Sequence, residues 1–322
     1  VPAALAGAVM SNETDYPAVL DVVGYNYTEN RYRQDHEKYP KRILYGSETR
    51  HDLNAWKAVR DNEFIFGQFI WTGFDYLGEA GPWPSRGFTT GMIDLAGNIK
   101  PNGYFRRALW LESPTVYVGT YKMEKTKKKF SANASAIWNY EPGDMIRVVA
   151  YTNCEEAELL LNGKQIGERK PYDDSTAIIY WDIPYTPGAL EVVAYNRGKK
   201  VAEDKIQSSG LPYAIRASMD KIQDVKVGEV LHLMIQIVDE NNIPVVLADN
   251  QITCYIEGEA KLLGLESGDH NVADNYRDNK QRCKNGKLLG YVKVRGQGKV
   301  KIRLTSPLLQ SAVLELDVKS YK

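Results

Sequence analysis

The chain has 322 residues with 43% hydrophobic content, enough for two or three domains that each bury a core. Forty-one basic residues balance 41 acidic ones, so no net field favours nucleic acid or an acidic membrane surface. No apolar run approaches the roughly twenty residues of a transmembrane helix, so no membrane partner is expected. The three cysteines, Cys154, Cys254 and Cys283, form no C-x-x-C pair, and the histidines are scattered without ligand spacing. Neither a zinc site nor a disulfide framework is expected. Cys254 and Cys283 fall in one expected domain, where reduced core thiols are the better reading than a bridge.

In chain order, Val1 to Met10 is apolar but has no positive region before it and no small-residue cleavage site. It reads as a cut strand, "VPAAL", followed by a loop. Leu20 to Tyr27, Arg42 to Glu48 and Phe66 to Trp71 then read as three buried parallel strands. Helical patterns over Tyr32 to Tyr39 and Leu53 to Phe64 separate them. Strand, helix, strand, helix, strand is the order of a (β/α) barrel, whose active sites collect at the C-terminal strand ends. Tyr25, Tyr27, Glu48, Trp71 and Asp75 are expected there. Aromatics around a carboxylate suit a sugar ring, with its apolar C–H faces and hydroxyl edges. Pro101 fits the first turn of a last helix running to Leu111, which Ser113-Pro114 ends.

Beyond Trp110 the helical period gives way to alternation. Ile146, Val148 and Ala150 face one way while Arg147 and Val149 face the other, and Leu161 runs into the hairpin signal Asn162-Gly163. Lys122 to Lys129 reads as a solvated loop or hairpin tip. After Ser208 to Pro212 a second set begins. It includes Leu231, Leu233, Ile235 and Ile237, then Val300, Ile302 and Leu304, then Leu314, Leu316 and Val318. Two β-sandwiches are expected, at 113–209 and 210–322, after an α/β unit at 1–112.

The segments "DVVGYNY", "YGSET" and "FIWTGFDYLGEAGPWPSRG" resemble consecutive stretches around barrel strands six, seven and eight of glycoside hydrolase family 2, of the β-galactosidase kind. The resemblance implies an α/β plus all-β chain: the C-terminal half of a TIM (β/α)8 barrel followed by two immunoglobulin-like sandwiches. Glu48 matches the catalytic nucleophile, and Trp71 the tryptophan lining the sugar subsite. Tyr25 or Tyr27 matches the tyrosine that hydrogen-bonds the nucleophile, and both stay open. Asn26, Asp75 and Glu79 are candidates for sugar hydroxyls, although Asp75 and Glu79 equally fit a role in capping the loop after the third strand.

The family's acid/base glutamate sits on strand four, ahead of everything matched here. Asn12-Glu13 is the right dipeptide on the wrong side of the absent strands. The chain is therefore expected to be a fragment, inactive alone, whose partners are a missing N-terminal part and a β-linked oligosaccharide or polysaccharide. No cofactor or metal is implied, and homo-oligomerisation stays open. β-Galactoside leads as substrate, with β-glucuronide and β-mannoside as alternatives. Secretion or a periplasmic location is favoured over the cytoplasm, with any signal upstream.

The mechanism implied is retaining hydrolysis through a covalent glycosyl-enzyme on Glu48. Each residue also has a plainer reading. Glu48 fits a surface carboxylate or the partner of a buried arginine, and Trp71 fits a core position. In the competing reading of the whole chain, the fragment is non-catalytic and its sandwiches serve carbohydrate binding or assembly. Gly46-Ser47-Glu48 lacks the second glycine of a nucleophile elbow, which disfavours a serine hydrolase.

Overall fold

The computed structural model describes residues 16–123 and 130–319. The "VPAAL" segment, the Asn12-Glu13 pair and residues 124–129 of the basic run lie outside them. The chain is mostly β-sheet with few helices.

The first unit is a parallel sheet in the order β1 (Val22–Asn26), β2 (Ile43–Thr49) and β3 (Ile65–Ile70). Helices α1 (Tyr32–Lys38) and α2 (Leu53–Arg60) form the crossovers, so the expected alternation is present and each helix stops short of its expected end. Asp52 starts α2 by accepting a hydrogen bond from the Ala55 amide at 2.9 Å, satisfying an otherwise unpaired first-turn donor. A 3-10 turn, Glu29–Arg31, leads into α1, and Arg31 pairs with Asp35 at 2.8 Å. Val23, Tyr25, Tyr32, Leu44 and Ile65 make the core between sheet and helices. Val22, Ile43, Phe66 and Phe69 are exposed.

After β3 the chain forms a short hairpin, β4 (Tyr76–Leu77) with β5 (Gly87–Phe88), and then helix α3 (Pro101–Trp110). Pro101 sits in its first turn, where its missing N–H costs nothing.

The second unit packs two antiparallel sheets. One is ordered β11 (Ile179–Pro184), β7 (Met145–Thr152), β6 (Val116–Lys122). The other is ordered β10 (Lys170–Pro171), β8 (Glu156–Leu161), β12 (Ala189–Asn196), β13 (Lys199–Gln207), with β9 (Lys164–Gln165) paired to β8. Asn162 and Gly163 turn β8 into β9 with φ of 53° and 75°, the double left-handed geometry that the dipeptide signals. Ile146, Val148 and Ala150 point into the sandwich with Leu159, Trp181 and Val192. Val149 and Tyr151 point the other way and are just as buried, against Phe105 and Ala108 of α3. β7 is therefore buried on both faces, which alternation alone does not reveal.

The third unit pairs sheet β14 (Ala214–Met219), β15 (Val230–Val238), β19 (Lys287–Val294), β17 (Ala260–Glu266) with sheet β18 (Lys280–Arg282), β16 (Gln251–Glu257), β20 (Gly298–Thr305), β21 (Ala312–Val318). Leu231, Leu233, Ile235 and Ile237 meet Ile252, Val300, Ile302 and Leu304 in its core. All three cysteines are buried free thiols, and burial pushes Cys254 and Cys283 up to about 12.

Candidate active site

Three strand ends converge at the C-terminal edge of the parallel sheet. The Tyr27 amide donates to the Glu48 carbonyl at 2.8 Å, and the Trp71 amide donates to the Thr49 carbonyl at 3.1 Å. The side chains that leave these positions therefore start from one connected line of backbone. Across it, the Tyr27 hydroxyl donates to Glu48 Oε1 at 2.6 Å. Asn26 Nδ2 approaches Glu48 Oε2 at 3.5 Å. Burial, then the bond to Glu48, push the Tyr27 phenol well above its usual range, so it stays a proton donor. Glu48 is half-buried, and Trp71 is exposed at the end of β3.

Of the two tyrosines it is Tyr27 that reaches Glu48, and the backbone accounts for the difference. The pairing of β1 with β2 shifts register between Tyr25 and Asn26, and Tyr27 leaves the strand at φ 52°. That irregularity separates two side chains that strict alternation would put on one face. Tyr25 is 1% exposed and donates to Asp35 at 2.7 Å, with burial and then that bond pushing it up to about 12. The expectation that Tyr25 contacts substrate is therefore corrected: it is a core residue behind the sheet.

Of the two readings open for Asp75, the structure shows the loop-holding one. It is buried, accepts from the Gly91 amide at 2.8 Å and holds Lys100 at 2.8 Å. Its carboxylate secures the long loop between β3 and α3. Glu79 is exposed in the turn of the hairpin, and its carboxylate accepts the Tyr76 hydroxyl.

Two contributors escaped the sequence reading. Tyr76 packs edge-on to Trp71 with centroids 5.7 Å apart, and then against Phe88 at 6.0 Å. Its place five residues after Trp71, in the same aromatic-rich segment, was the available signal. Arg50 sits with its guanidinium 4.9 Å from the Tyr27 ring centroid. Behind the site, His51 Nε2 lies 3.3 Å from the Thr72 carbonyl, and burial holds its imidazole below the usual range. A cavity of about 630 Å³ opens where the three units meet, lined by Lys100, Tyr117, Lys205 and Gln236, and neither Glu48 nor Trp71 borders it.

Two family models match the chain. Residues 216–315 match "Glycoside hydrolase family 2 C-terminal domain 5", and residues 143–202 match a domain of unknown function, DUF4982. The β-galactosidase BoGH2A of Bacteroides ovatus is 32% identical over 265 residues, which is 81% of this chain and 29% of that protein. A putative β-glucuronidase of Formosa agariphila is 29% identical over 219 residues, covering 66% of this chain and 20% of its own length. The crystal structure of a glycosyl hydrolase family 2 member from Bacteroides cellulosilyticus superposes with a TM-score of 0.84 at 29% identity, covering 95% of this chain and 43% of that one. The chain thus spans less than a third of the length of these curated relatives.

These matches place the chain among the glycoside hydrolases. It belongs to glycoside hydrolase family 2, and carries the family's C-terminal region.

Proposed function

We propose that the chain carries the nucleophile side of the active site of a retaining β-glycosidase, with Glu48 as the attacking carboxylate. The 2.6 Å bond from Tyr27 to Glu48 is the observation that carries this reading. A nucleophilic carboxylate has to be ionised and aimed, and a phenol held in its neutral form does both. Trp71 would pack on the apolar face of the terminal sugar, and Asn26 would reach a ring hydroxyl or keep Glu48 oriented. The three parallel strands then serve as consecutive strands of a (β/α)8 barrel. The units at 113–209 and 210–322 serve as immunoglobulin-like domains behind it.

Retaining hydrolysis needs a second carboxyl group about 5–5.5 Å from the first to protonate the leaving oxygen. Asp75 is engaged by Lys100, and Glu79 is engaged by Tyr76 in the hairpin turn. We place the general acid outside the described residues, in keeping with relatives that run well beyond the matched region. The 322-residue chain alone is then inactive. A β-galactoside is the leading substrate, supported by the Bacteroides ovatus relative, and the β-glucuronidase names keep a uronide as the second choice.

The test is covalent labelling of the active enzyme that contains this sequence with a 2-fluoro-β-galactoside. The label should be recovered on Glu48, and Glu48→Gln should remove both label and turnover while the fold persists. Label on any other residue, or turnover by Glu48→Gln, would overturn the reading.

A further inference from the structure

The hairpin β4–β5 is gripped from behind by the third unit. The Arg86 amide donates to the His270 carbonyl at 3.0 Å, and its Nη1 reaches the Asp274 carbonyl at 3.5 Å across 188 residues of sequence. The guanidinium carbon lies 4.4 Å from the Tyr276 ring centroid. Next to it, Gly87 is pressed so close that a Cβ would fall 2.4 Å from the Tyr76 carbonyl oxygen and 3.5 Å from the His270 Cβ. Gly268, at φ +78°, approaches the Asp94 carboxylate; a Cβ there would lie 2.6 Å from Oδ2. Leu77 and Leu95 face Leu265, Tyr276 and Tyr291 across a gap of about 300 Å³.

Little of this is required to close the third unit: Leu265 belongs to its core, but Arg86, Tyr276 and Tyr291 do not, and the core is formed mainly by residues on β15, β16, β19 and β20. Nor does it complete the hairpin's own pairing, since Gly78 already donates to the Arg86 carbonyl at 3.0 Å. Arg86 Nε and Nη2 are buried and have no hydrogen-bond partner among the described residues. Leaving these two nitrogens without acceptors costs free energy that the contacts around them have to offset. What the grip fixes is the strand that presents Tyr76 to Trp71.

We propose that Arg86 is a positioning residue through which the third unit sets the aromatic wall facing Glu48, making that unit a working part of the carbohydrate site. This rests on the reading of Glu48 and Trp71 given above. A ring used as a stacking platform contributes to binding only when its orientation is fixed beforehand, because ordering it on contact subtracts from affinity. A guanidinium lying over a ring, with its Nη1 on the Asp274 carbonyl and its own backbone amide on the His270 carbonyl, supplies such a constraint.

Two measurements test the proposal. The first is hydrogen exchange on the 322-residue chain with no sugar present. Arg86→Ala should speed exchange at the Gly78 amide about ten-fold or more while amides of β15 and β20 keep their protection. Arg86→Lys, which keeps the charge over Tyr276 and loses the planar group that reaches the Asp274 carbonyl, should fall between. Unchanged exchange at Gly78, or faster exchange throughout the third unit, overturns the proposal. The second is kinetics in the active enzyme containing this sequence. Arg86→Ala should raise KM about five- to ten-fold with kcat within about two-fold, and adding Tyr276→Ala should add little, as for two residues acting as one device. Equal losses in kcat, additive effects or an unchanged KM overturn it. An enzyme in which Glu48→Gln still turns over fails the underlying site reading instead, and the exchange result, needing no substrate, tells the two failures apart.

Discussion

Tyr27 and Glu48 face each other across the ends of β1 and β2, phenol oxygen to carboxylate oxygen at 2.6 Å. The bond is charge-assisted, a class that contributes about 1.5–3 kcal/mol. Tyr27→Phe in the active enzyme should therefore lower kcat about ten- to a hundred-fold, and Glu48 should still take the covalent label. A fall of less than about two-fold would mean that Glu48 is aimed by other groups.

Arg106 offers a second measurement, on stability rather than turnover. It is fully buried on α3, donates to Gln68 Oε1 at 2.8 Å, and lies 3.4 Å from the carbonyls of both His51 and Asp52. Burial pulls its pKa down to about 10, and Trp56 and Trp110 lie against the guanidinium. Arg106→Leu leaves Gln68 and the start of α2 without their donor and should cost about 3 kcal/mol. The urea midpoint reports it. A loss below about 1 kcal/mol would mean that solvent or neighbouring groups take over those acceptors.

Acid sensitivity should report on His51. Burial lowers its folded pKa below the ordinary 6.5, so between those two values the unfolded chain binds more protons than the folded one. Stability from this residue is complete above about pH 6.5 and is lost as pH falls toward the folded value. Comparing urea midpoints at pH 5.5 and 7.5, His51→Gln should lose less than the unmodified chain. Equal losses would show that other groups set the acid response.

The two connections between units should differ under limited proteolysis. Near Ser113-Pro114, Asn153 donates to the Leu111 carbonyl at 2.7 Å and to the Ser113 carbonyl at 2.9 Å, while accepting from the Thr115 amide at 2.9 Å. At the second connection, Asn139 and Asp239 hold Ser209 and Gly210, but Leu211 projects almost fully into solvent. Early cutting is expected at Leu211, with the first connection surviving longer. Early cleavage at Ser113 would show that the Asn153 bracket opens readily.

Much of this organisation can be read from residue pattern because parallel strands and alternating sheets leave local marks. The three parallel strands are short apolar runs between helical stretches, and Glu48 stands out as the carboxylate ending one of them. The misplacements come from contacts distant in sequence. Asp75 looks like a free loop carboxylate until Lys100, 25 residues on, folds back to it. Tyr25 and Tyr27 look equivalent until the register shift between Tyr25 and Asn26 sends one inward. Val149 reads as the outward side of a sandwich strand because nothing local announces that α3 covers it.

That double-sided burial of β7 bears on how such chains are assembled over evolution. Tyr104 stacks on Tyr117 at 4.4 Å, and Phe105 meets Tyr151 edge-on at 5.3 Å, so α3 and the sheet behind it share one apolar seam. A recombination breakpoint at Ser113 would strip that seam on both products, exposing Phe105 and Ala108 on one and Val149 and Tyr151 on the other. α3 is therefore common property, bound to the sandwich through this seam and to the parallel sheet through Arg106, so a junction on either side of it strips contacts and the two units are inherited together.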